Sequence, residues 1–409
     1  MRSLLWGRGV SALGDGLWFT IWALYFTRIA GIPPVAVGAG LAVASAAGMA
    51  AAVPLGALAD RAGARPVLIV LTLVRGAAMA AYLAVGSTWS FMAVTVPFTA
   101  LATGGTAVRT ALITGLVTEP AERVRVLAQQ RVAQHVGYAA GAGLGALVLT
   151  ADTRWVYTLA IAVNAVSFLV LAAAMLRVPA PAPRPAERTA ARAVLRDRPY
   201  LAVVAATAVL SLCWAMLSAG LPLWLAGRTH LPLGLGGVVV VLSSVGIAVF
   251  QVPFARFART VAQAARTAVL SGVALAASCV LLATTSGGAG AGAVTVVVLA
   301  ALLHIVGELG YVAAGWGLSV RLMREDAKGA YQGVTEAATA TVQMVGPGVF
   351  TLAVGGLGGP GWLLVALVFL AAVAPVPALS RWAVRTREPA GRATHVTPAG
   401  RNTGGGATL

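Results

Sequence analysis

Residues 56–68 read GALADRAGARPVL, a short polar break between two long apolar runs. Gly56 and Gly63 allow close backbone approach and a tight turn. Asp60, Arg61 and Arg65 place charge where both flanking segments leave an apolar environment. The run before this hinge and the run after it each exceed the ~18 residues that mark a membrane-crossing helix. Runs of that kind recur along the rest of the chain.

The chain has 409 residues, of which 59% are hydrophobic and 10% charged, with a mean hydropathy of +0.88. A soluble domain needs far more polar surface to cover its core, so the composition implies a polytopic membrane protein. The net charge of +17 would suggest nucleic acid in a soluble chain. Here the basic residues concentrate on one side of the apolar runs. Only Arg28, Arg154 and Arg228 fall on the other side, and Arg75 and Arg109 fall within runs. By the positive-inside rule the basic side is cytoplasmic, and the partner expected there is anionic lipid rather than nucleic acid. Cys213 and Cys279 both lie in apolar runs and read as small hydrophobes. The first run carries Asp15 and leads directly into the next, so it reads as a retained span.

Twelve spans are expected, near 9–27, 35–59, 66–86, 90–117, 132–150, 155–176, 201–225, 235–257, 267–285, 293–320, 333–357 and 361–380. The fold class is an all-α polytopic membrane protein of two six-helix pseudo-repeat bundles. Residues 1–178 form the first bundle, 179–200 a Pro- and Arg-rich cytoplasmic linker, 201–380 the second bundle, and 381–409 a polar, Gly-rich, disordered cytoplasmic tail. Both termini are then cytoplasmic. An offset of 199 residues superposes Val53-Pro54 on Val252-Pro253 and Ala59 on Ala258, while Gly56 becomes Ala255 and Asp60 becomes Arg259. Internal repeats of this scale build many secondary transporters, with the site between the halves.

At the hinge the residues resemble the major facilitator superfamily, whose loop between spans two and three reads G-x-L-A-D-R-x-G-R-R-x-x-L. Gly56, Leu58, Ala59, Asp60, Arg61, Gly63, Arg65 and Leu68 match, and Ala64 replaces the first of the paired basic residues. Gly137, Gly141, Gly143 and Gly145 in span five resemble the glycine run of the family's proton-coupled antiporters, with Ala142 in place of its proline. Tight helix packing is the competing reading of that run. Arg109 stands where those antiporters often carry an arginine in span four. The SALGDG start of span one adds a likeness to drug and macrolide efflux members. The resemblance implies two six-helix bundles moving by alternating access, with Gly56, Asp60, Arg61, Gly63 and Arg65 as the cytoplasmic gate.

Ionisable residues inside hydrocarbon are costly and are candidates for function. Asp15 shares a helical face with Arg8, Ser11, Trp18 and Trp22, so it reads either as a proton carrier in a cavity walled by Trp18 and Trp22 or as a carboxylate held by an arginine. Glu308, with His304 at i−4 and Tyr311 at i+3, offers a face for proton relay or cation binding; a buried cluster that fixes packing is the alternative. Arg109 is expected to partner a carboxylate or a substrate anion, or to snorkel. Trp214 is a further cavity-wall candidate. Arg75 reads as a structural charge paired with Asp15, and Glu336 as an exposed acid at the start of span eleven.

There is no P-loop, HExxH or GxSxG motif and no Cys/His cluster. No enzyme activity, metal or cofactor is therefore expected, and an ion gradient supplies the energy. The expectation is a monomeric transporter of a bacterial inner membrane that exports a hydrophobic or amphipathic small molecule, such as an antibiotic or secondary metabolite, against protons. Nutrient uptake or facilitated diffusion is the alternative, and a non-transporting sensor of the same fold a further one.

Overall fold

The structure is a computed structural model that describes residues 2–180 and 194–387. These described residues form twelve long helices: α1 (Arg2–Leu24), α2 (Pro34–Ala62), α3 (Ala64–Ala81), α4 (Thr88–Leu116), α5 (Pro120–Ala151), α6 (Arg154–Leu176), α7 (Arg198–Arg228), α8 (Gly234–Phe254), α9 (Val261–Ala283), α10 (Gly290–Leu322), α11 (Lys328–Phe350) and α12 (Gly359–Arg385). Among the described residues, 11 helices are long and apolar enough to cross a membrane. α1, which carries Arg2, Arg8 and Asp15, falls outside that set, yet it packs along α5 and α6 in the same bundle. Most of the linker, residues 181–193, and the tail from 388 lie outside the described residues.

Several helices run past the apolar segments. α1 begins at Arg2 rather than near 9, α5 at Pro120 rather than 132, α7 at Arg198 rather than 201 and α11 at Lys328 rather than 333. α12 continues to Arg385 after a turn at Ala374–Pro375, so residues expected at the start of the tail are helical. The cause is local. Hydropathy marks only the hydrocarbon-facing part of a helix, whereas capping decides where it starts. Glu119 accepts the N–H of Glu122, with Pro120 at the first helical position, and Asp197 accepts the N–H of Tyr200, with Pro199 in the first turn. Both are strong start signals.

One core cluster joins the two halves at the hinge end, and each half also has a core of its own beyond it. In the first half, Trp18 stacks on Tyr82 at 5.0 Å, with Phe26 and Tyr25 edge-on around it. This aromatic cluster fills the end of the bundle opposite the hinge. In the second half, Trp224, Trp362 and Phe350 play the equivalent part. The glycines of α5 let α1 lie against it: a Cβ on Gly137 would strike the Gly9 carbonyl and one on Gly141 the Leu13 carbonyl. Gly143 faces open space.

The halves meet along α2–α11, α4–α11, α5–α8 and α5–α10. Their bonds concentrate at the hinge end. Gly63 turns the chain from α2 into α3 at φ +89. Arg65 donates Nε to Met175 O at 3.1 Å and Nη2 to Leu176 O, capping the end of α6. Asp60 Oδ1 and Oδ2 accept the N–H groups of Gly329 and Ala330 at 2.7 and 2.9 Å, so a carboxylate of one half caps the first turn of a helix in the other. Gly56 and Gly329 touch backbone to backbone at this point, and a Cβ on either would collide. Lys328 makes the reciprocal contact, donating Nζ to Thr114 O at the end of α4 at 3.1 Å. Arg123 forks onto Glu325 at 2.7 and 3.2 Å. Among the described residues the eroded hinge copy makes no such cap: Ala255–Ala258 is a tight turn, and Arg259 is exposed.

Candidate functional site

Behind the closed hinge end, the two halves enclose a cavity of about 390 Å³. Arg8 of α1, Thr106 and Arg109 of α4, and Gln130, Arg131 and Gln134 of α5 contribute from the first half. Thr207 and Trp214 of α7, Tyr311 and Trp316 of α10, and Gln332, Glu336 and Gln343 of α11 contribute from the second. The lining mixes polar, aromatic and aliphatic side chains, among them Leu127, Val203 and Val312, with three guanidiniums and a single carboxylate.

Glu308 lies just behind the wall, 3% exposed. Its Oε1 accepts Arg131 Nη2 across the interface at 2.5 Å and Trp214 Nε1 at 2.8 Å, and Ser243 Oγ lies 3.5 Å from Oε2. The Arg131 guanidinium also lies over the Trp214 ring, 5.6 Å from its centroid, a cation–π contact. His304, one turn away on α10, bonds through Nε2 to Cys213 O at 2.8 Å, and its Nδ1 is buried without a partner. Tyr311 packs edge-on to Trp214 at 5.8 Å. Glu308, His304, Tyr311 and Trp214 are thus brought together, and His135, one turn beyond Arg131 on α5, joins them electrostatically.

Arg109, expected to partner a carboxylate or a substrate anion, is not the residue that holds Glu308. The two residues sit at repeat-related positions on α4 and α10, but Arg131 holds Glu308. Arg109 faces the cavity on the other flank, within electrostatic reach of Glu336. Glu336 is likewise not an exposed helix-start acid. Because α11 begins at Lys328, Glu336 lies more than two turns inside and lines the cavity.

Asp15 is placed inside the first half, away from the cavity lining. Its Oδ2 pairs with Arg8 Nη1 at 3.3 Å, and its Oδ1 lies 3.8 Å from Arg75 Nη2. Arg75 is held between the rings of Phe98 and Phe168 at 4.8 and 4.7 Å. Trp18 and Trp22 belong to the aromatic core at the far end of the bundle, so neither lines the central cavity. Their helical face is real, but it points into the bundle. Arg131 and His135 were not singled out from the sequence: Arg131 falls just before the apolar run at 132–150, and His135 is a lone imidazole near the start of that run. The Glu119-Pro120 start signal would have placed Arg131 about three turns inside α5.

The family model of the Major Facilitator Superfamily matches residues 4–347. The chain belongs to the major facilitator superfamily. Its fold is that of solved transporters of this family at low sequence identity. A bacterial homologue of the iron transporter ferroportin, in an outward-facing state, has a TM-score of 0.72 and 17% identity, with 94% of this chain and 99% of that chain covered. The human organic anion transporter MFSD10 (TETRAN) gives 0.68 and 16%, covering 93% and 98%. The proton:xylose symporter XylE, bound to 6-bromo-6-deoxy-D-glucose, gives 0.65 and 12%, covering 91% and 92%. A comparison with curated protein sequences gives no match. The chain is therefore a multi-pass membrane protein of a transporter family.

Proposed function

We propose that this chain is a proton-coupled, alternating-access exporter of an amphipathic small organic molecule. In this reading it works as a monomer without a cofactor, in a bacterial inner membrane with both termini cytoplasmic. The observation that carries the reading is the ion pair between Arg131 and Glu308. It bridges the two halves, is buried, and backs the cavity, which its Arg131 member lines. Protonation of Glu308 removes the attraction that ties α5 to α10 at mid-height, so one proton changes both the interface between the halves and the charge presented to cargo. The cavity between the halves is the cargo site, and Trp214, Trp316 and Tyr311 suit the apolar part of such a molecule. The concentration of basic residues at the hinge end supports its cytoplasmic assignment.

Export as the direction rests on the likeness to drug and macrolide efflux members. The glycine run of α5 lends it no support, since Gly137, Gly141 and Gly145 serve the packing of α1. Purified protein in liposomes with an imposed pH gradient tests the reading against a panel of amphipathic compounds. Expected is pH-driven flux in wild type, and loss of the driven flux with retained exchange in Glu308→Gln. Flux indifferent to the gradient overturns the coupling. Gradient-driven accumulation toward the hinge side replaces export with uptake.

A further inference from the structure

The guanidiniums that line the cavity differ in what holds them. Arg131 is taken by Glu308, and Arg8 is engaged through Nη1 by Asp15. Arg109 has no ion pair or hydrogen bond among the described residues. The charged groups around it are Arg8 and Arg75, which repel it, and Asp15 and Glu336, which attract it only across space. On the same flank Arg8 Nε and Gln130 Nε2 are buried without a hydrogen-bond partner. These two residues are 6% and 7% exposed, and both line the cavity with Arg109. An unpaired guanidinium beside idle buried donors is costly inside a membrane protein and marks a place for an anion.

We infer that the cargo carries a compact anionic group, a carboxylate or similar oxyanion, which seats on Arg109 with Arg8 Nε and Gln130 Nε2 as further donors. The planar fork of an arginine suits bidentate binding of such a group. The rest of the molecule then lies toward Trp214 and Trp316. Glu336 serves as the placeholder that the anion displaces. This rests on the cavity being the cargo site, as proposed above.

The test is equilibrium binding to the full-length protein in nanodiscs of three probes with one ring system: 2-naphthoate, 2-naphthamide and 2-naphthylmethylammonium. The carboxylate is expected to bind at least tenfold tighter than either analogue. Arg109→Gln is expected to lose about tenfold or more of that affinity, and Arg109→Lys to retain part of it. Glu336→Gln is expected to tighten naphthoate binding severalfold, a gain that disruption of the fold does not produce. Equal binding of the amide or ammonium, no binding of any probe, or no gain in Glu336→Gln overturns the inference. Inorganic phosphate binding as tightly as naphthoate overturns an organic cargo. Naphthoate binding without flux removes the transport reading and leaves the anion seat. Flux of the amide or ammonium without carboxylate preference does the reverse.

Discussion

Arg131 and Glu308 come from opposite halves of the molecule and meet in a buried, hydrogen-bonded ion pair that Trp214 completes from the side. Breaking a buried pair by removing one partner leaves an uncompensated charge, which typically costs about 3–5 kcal/mol. Arg131→Met is therefore expected to lower the thermal midpoint markedly and to abolish gradient-driven flux. Combining it with Glu308→Leu should recover most of the stability and none of the coupling. Thermal unfolding in detergent together with liposome flux checks both statements; a double variant as unstable as the sum of the singles would contradict them.

Asp60 closes the hinge end by accepting two N–H groups from the first turn of α11. Hydrogen bonds to a charged group are worth about 1.5–3 kcal/mol, so Asp60→Asn should shift the balance toward the hinge-open state roughly ten- to a hundredfold. Arg259→Ala, at the repeat-related position, should leave that balance nearly unchanged. Spin-label distances across the hinge end read the populations, and transport at equal expression reads the consequence. Equal effects of the two substitutions would remove the asymmetry between the hinge copies.

In the Arg123–Glu325 contact of the same closure, Glu325 lies in the loop between α10 and α11, outside the spans, and has its own pH signature. Partial burial disfavours the Glu325 carboxylate, but hydrogen bonds from Arg123 and Lys328 outweigh it and hold its pKa down at about 2, against an ordinary 4.5. A depressed carboxylate contributes its stabilisation in full above the ordinary value and loses it only as pH falls through the depressed one. The contact is therefore expected to stay intact between pH 5 and 8, and Glu325→Gln to open the hinge end equally at both limits. A hinge-end distance in wild type that lengthens on going from pH 7.5 to 5.5, and does not do so in Glu325→Gln, would place the proton switch here.

The α5 glycines divide by what faces them. Gly141→Val should separate α1 from α5 and cost about 1–3 kcal/mol or more through overpacking, since even a Cβ there collides with the α1 backbone. Gly143→Ala meets no atom within 4 Å and should be silent. Expression level and thermal midpoint distinguish them, and a silent Gly141→Val would return the run to a transport role.

Membership of the family and the hinge were legible in the sequence because both depend on local features: long apolar runs and a short motif whose charges and glycines sit at fixed spacing. The helical faces of Glu308 and Asp15 were legible too, since periodicity alone sets which residues share a face. What each face meets was not. The Asp15 face turns inward to Arg8 and Arg75, the Trp18 face fills an aromatic core, and the Glu308 face meets an arginine from the other half. Arg131 and Glu336 were misplaced by reading helix ends from hydropathy, which stops at the first polar turn, although caps and hydrogen bonds carry the helix further. The sequence by itself therefore determined the class of molecule and its membrane architecture, because burial of apolar runs and capping are properties of single segments. Only the tertiary structure decided which charges pair and which cavity guanidinium has no bonded partner among the described residues, because pairing across two halves depends on packing that no segment carries alone.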